Sequence, residues 1–70
     1  MDQDREHLEL ARRHLVEGEA RVARQLALIS ELKAAGHPTG LARELLGSLI
    51  ETLRQMRAHR DYLEARGREG

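Results

Sequence analysis

The sequence predicts an all-α chain folded as an antiparallel two-helix hairpin with a coiled-coil-like seam. Three observations carry this. Apolar residues recur three and four positions apart through two long stretches. The run Gly36-His37-Pro38-Thr39 separates those stretches and is made of residues that end and restart helices. From about residue 4 to 35, only Gly18 interrupts residues that tolerate a helix.

Helix 1 is therefore expected over about residues 4–35. Acidic residues in its first turn suit the positive end of the helix dipole. Gly18 costs about 1 kcal/mol relative to Ala in a helix interior, too little to end the helix. Gly36 is placed as the left-handed residue after the helix, and Pro38 blocks continuation. Thr39 then caps helix 2, expected over about residues 40–66 and ended by Gly67. A connection as short as 36–39 leaves the helices folded back on each other, so residues 1–70 form a single hairpin.

The expected seam of helix 1 is Leu8, Ala11, Leu15, Gly18, Val22, Gln25, Ile29 and Leu32. The same rhythm in helix 2 gives Ala42, Leu45, Leu49, Thr52, Met56, His59 and Leu63. This register brings Gly18 near Met56 and Leu15 near His59. Close to the turn, apolar residues spill beyond the seam: Leu26, Leu28, Leu41, Leu46, Ile50 and Leu53. An apolar arc that wide exceeds what one partner helix covers. A chain of 70 residues with no cysteine also lacks the burial or the disulfide that would stabilise a lone hairpin. A homo-oligomer is expected, most simply a dimer in which two hairpins make a four-helix bundle through those six residues. Helix 1 carries a further stripe, Val16, Ala20, Ala23, Ala27, Ser30 and Ala34, which reads as exposed good helix formers before it reads as a second interface.

Charge excludes more than it suggests. Twelve Lys and Arg balance twelve Asp and Glu, so no basic surplus points to nucleic acid. The short stripe Arg54, Arg57 and Arg60 has acidic neighbours in Glu51, Asp61 and Glu64. The longest apolar run, Leu26-Ala27-Leu28-Ile29, is far too short to span a bilayer. Residues 1–6 are acidic and polar, unlike a secretory signal, so a cytoplasmic location is expected.

Four histidines are the only chemical signal. His37 belongs to the turn, and His7 lies near the start of helix 1. His14 and His59 fall at one level of the hairpin, with Met56 and Tyr62 a turn from His59. Gly18, a turn beyond His14, leaves space beside it. An alternative function follows, a metal- or haem-binding bundle using His14, His59 and Met56. The simpler reading is a seam histidine bonded to Tyr62, a carbonyl or water. No Ser/His/Asp set or phosphate-binding glycine loop is present, so no enzyme and no cofactor are expected. The favoured function is a non-enzymatic interaction protein that self-associates and binds another, unidentified protein.

The segments His14-Leu15-Val16-Glu17-Gly18-Glu19, Arg24-Gln25, Gly36-His37-Pro38-Thr39, Ala42-Arg43-Glu44-Leu45-Leu46 and Ala58-His59-Arg60-Asp61 resemble a group of short uncharacterised bacterial helical-hairpin proteins. Pro38 stands where that group has Asp, and Met56 where it has the first histidine of an H-x-x-H-R motif. The resemblance implies a bacterial cytoplasmic hairpin and no particular activity.

Overall fold

The computed structural model describes residues 2–69, with the side chains of residues 3–68. Two helices, α1 (Asp2–Ala34) and α2 (Gly40–Glu69), pack along their lengths. Together they form a rod whose Cα atoms span 54 × 14 × 13 Å. No strand occurs among the described residues.

The turn is closed by backbone hydrogen bonds that satisfy the last carbonyls of α1. His37 N–H donates to the Leu32 carbonyl at 2.9 Å, and Gly36 N–H to the Lys33 carbonyl at 3.1 Å. This pair of bonds is the Schellman arrangement, which requires a left-handed residue between them. Gly36 supplies it with φ of 76°. Thr39 opens α2, its carbonyl accepting from Arg43 N–H at 2.9 Å. Its hydroxyl accepts from Arg43 Nε, also at 2.9 Å. At the far end α2 runs through Gly67 to Glu69 instead of stopping before it. Arg66 and Arg68 in the last turn favour the negative end of the helix dipole, which offsets the cost of that glycine.

Along α1 the buried or half-buried apolar positions are Leu8, Ala11, Leu15, Val22, Ile29 and Leu32, with Gly18 and Gln25 in the same stripe. In α2 the inward stripe is Ala42, Leu46, Leu49, Leu53, Met56, Arg60 and Leu63. It shares every second member with the expected seam but places the others one residue later. Leu45, Thr52 and His59 are exposed, and Leu46, Leu53 and Arg60 take their places. The reason is energetic. Turning α2 this way buries two leucines and a long aliphatic stem. The alternative would bury one leucine, a hydroxyl and an imidazole. Arg60 tolerates the position because its guanidinium reaches Asp61 Oδ1 at 2.8 Å and Glu64 Oε1 at 3.6 Å while its stem covers the seam.

Two polar or small residues set how the helices meet. Gln25, 8% exposed, donates from Nε2 to the Ala42 carbonyl at 2.9 Å, a cross-helix bond beside the turn. Gly18 lets α2 come close: a Cβ there would lie 3.0 Å from Met56 Sδ and 3.3 Å from Leu53 Cδ1. The space beside His14 that the sequence left open at Gly18 is therefore occupied in part by the Met56 sulfur.

Substitution at two glycines should separate packing from propensity. Gly47 has no atom within 4 Å of its Cβ position. Gly47→Ala should raise stability by about 1 kcal/mol in thermal or urea unfolding. Gly18→Leu should lower it by about 1–3 kcal/mol, because the added atoms must push α2 away. The phase of α2 is tested by alanine at adjoining stripes, at dilutions that keep the chain monomeric. Leu53→Ala should cost about 2 kcal/mol or more, and Leu45→Ala about 0.5 kcal/mol or less. Equal losses at the two positions would contradict the phase described.

Candidate functional site

Beyond the seam, each helix has two flanking stripes repeating every seven residues, and the side chains show which stripes share a side of the hairpin. On one side, Arg12 pairs with Glu64 at 3.5 Å and Arg57 with Glu19 at 3.6 Å. Seven residues onward from Glu19 and seven back from Arg57, Leu26 and Ile50 continue the ladder toward the turn. These ion pairs are largely exposed, so each contributes about 0–1 kcal/mol and mainly helps hold register.

The opposite side carries the histidines. His7, Leu10, Ala11, His14 and His59 line a cleft of about 170 Å³. A neighbouring cleft of about 240 Å³ is lined by His14, Glu17, Gly18, Arg21 and Met56. His7, His14, Arg21 and Leu28 form one heptad stripe on α1. Leu45, Thr52, His59 and Arg66 form its counterpart on α2. His7, near the start of α1, belongs to the cleft. Its spacing of seven from His14 is the signal that would have found it. Tyr62 lies against Arg66, the guanidinium 5.8 Å from the ring centre.

The expected metal set does not converge. His14 faces both clefts, but His59 lines one and Met56 the other. Met56 Sδ packs on Gly18 in the seam. Among the described residues, no three His, Asp or Glu side chains are grouped to hold a metal ion. His7, His14 and His59 line one open cleft, but their imidazoles are not gathered into a set of three that a zinc site would need.

The six residues expected to form one oligomer interface are also divided. Leu53, 6% exposed, is buried in the hairpin's own seam, and Leu46 is half-buried there. Leu26 and Ile50, 52% and 41% exposed, lie on the ion-pair side. Leu28 and Leu41 lie on the histidine side, joined by Leu45, which the expected seam had claimed. Residues two apart on a helix, such as Leu26 and Leu28, point about 200° apart and cannot share a face. Each arginine of the stripe Arg54, Arg57 and Arg60 has a carboxylate partner: Glu51 at 3.3 Å, Glu19, and Asp61 with Glu64. No helix among the described residues is long and apolar enough to cross a membrane. No protein-family model, curated protein or solved structure matches the chain.

Any Zn²⁺ or Cu²⁺ taken up by untagged protein should be lost in His14→Gln and unaffected by Met56→Leu. Equilibrium dialysis of the two variants checks this, and copper uptake that depends on Met56 contradicts the arrangement.

Proposed function

We propose that this chain is a non-enzymatic interaction protein of the bacterial cytoplasm. In this reading the hairpin pairs with a second copy to make a four-helix bundle and presents that bundle to another protein. The observation that carries it is the imbalance of burial. No side chain among the described residues is fully buried, while eight large apolar or aromatic side chains are 41–84% exposed. A two-helix rod has nowhere else to put them, because each helix already spends its inward stripe on the other. Association with a like surface is the direct way to remove that area from water.

What supports the non-enzymatic part is the size of the two clefts. Both clefts are shallow and smaller than the roughly 300–1,000 Å³ of typical small-molecule sites. The resemblance to short bacterial hairpin proteins supports the compartment. A second reading, metal or haem binding through His14, His59 and Met56, is favoured only by His14 and His59 lining one cleft together with His7.

Light scattering at high micromolar concentration tests the proposal. The expected mass is about twice the 8.0 kDa of the chain, and a clean monomer would overturn self-association.

A further inference from the structure

Exposed apolar groups are spread unevenly between the two sides of the hairpin. The ion-pair side has Leu26 and Ile50 near the turn, and farther along it is ionic. The histidine side is apolar at both ends. Toward the chain ends Leu10, 45% exposed, lines the cleft with His14 and His59, and Tyr62, 58% exposed, is one turn from His59. Toward the turn come Leu28 at 42% and Leu45 at 51%, with Leu41 at 84% one turn before Leu45. Between these ends lie Glu17, Arg21, Arg24 and Thr52.

Four of these five residues are placed symmetrically about the middle of the rod, while Leu41 falls opposite Arg66. On α1, Leu10 and Leu28 are equally far from residue 19. On α2, Leu45 and Tyr62 are equally far from a point between residues 53 and 54. These midpoints lie at one height, since the Gly18 Cβ position is 3.3 Å from Leu53 Cδ1. A two-fold axis through that level, perpendicular to the helices, superposes the apolar end of one hairpin on the opposite apolar end of another. The same operation brings Glu17 of each copy to Arg21 of the other, because these residues are also equally spaced about position 19.

We propose that a second copy of the chain docks antiparallel on the histidine-bearing side of the hairpin, with Leu10 of each copy on Leu28 of the other and Tyr62 on Leu45. The assignment rests on the self-association reading and adds the face and the direction. The area is sufficient. A face of 54 by 14 Å offers on the order of 750 Å² per copy, close to the roughly 800 Å² per partner of a standard stable interface. Charge separates this arrangement from a parallel one. With both turns at the same end, the histidine clefts of the two copies meet and Arg21 faces Thr52, with no carboxylate brought to it. Turned end for end, each Arg21 gains Glu17 at the centre, where exclusion of water strengthens the pair.

The chain contains no cysteine, so introduced ones report contacts directly. Chains carrying Leu10→Cys and chains carrying Leu28→Cys, mixed and oxidised, should form the 10–28 disulfide in preference to either homodimer. The Leu45→Cys and Tyr62→Cys pair should behave likewise, each bond identified by mass spectrometry of digested dimers. Leu28→Glu and Leu45→Glu should weaken the dimer roughly tenfold or more, against less than about threefold for Leu26→Glu and Ile50→Glu. All four positions are exposed, so circular dichroism should show the helices retained. A dimer that cross-links Leu28→Cys to Leu45→Cys between copies, or that dissociates through Leu26→Glu and Ile50→Glu, overturns the face or its direction while leaving self-association standing. A chain that scatters only as a monomer overturns both.

Discussion

Each helix of a two-helix hairpin can offer its neighbour one stripe of side chains, and every other face meets solvent or a further partner. That geometric limit governs this molecule. The stripe that α2 turns inward decides which leucines are left outside, and so what the protein can bind. Rotating α2 to bury Leu46 and Leu53 exposes Leu45, Thr52 and His59 on a single flank. The seam and the outer surface are thus two consequences of one rotation.

Within the seam, residues that contribute little hydrophobic energy control the fit. Gln25 reaches the Ala42 carbonyl across the helices, a bond that a shift of register would break. Gly18 admits the Met56 sulfur at close range. Arg60 closes the stripe with its stem and sends its charge outward to Asp61 and Glu64. Such positions look like defects in an apolar pattern, yet each has a physical partner in the folded chain.

The flanks divide the labour. One side neutralises itself through Arg12 with Glu64 and Glu19 with Arg57. The other combines histidines with Leu10, Leu28, Leu41 and Leu45. Carboxylates pair with Arg54, Arg57 and Arg60 along that stripe. An interface on the second side would cover imidazoles together with leucines.

Much of the architecture can be read without coordinates. The turn chemistry of Gly36 and Pro38 and the unbroken periodicity of α1 are local signals, and local backbone preferences follow from neighbouring residues alone. The α1 stripe from Leu8 to Leu32 was legible because its flanking positions offer no competing apolar series of equal strength. In α2, Ala42, Leu49, Met56 and Leu63 belong to two overlapping stripes, one through Leu45 and one through Leu46. Periodicity alone weighs these as near equals. Packing against α1 separates them, because only then does burying Leu53 and not Thr52 carry an energy. The division of Leu26 from Leu28, and the meeting of His7, His14 and His59 on one cleft, are likewise properties of two helices held together, since the side a residue faces is defined only once its neighbour is in place.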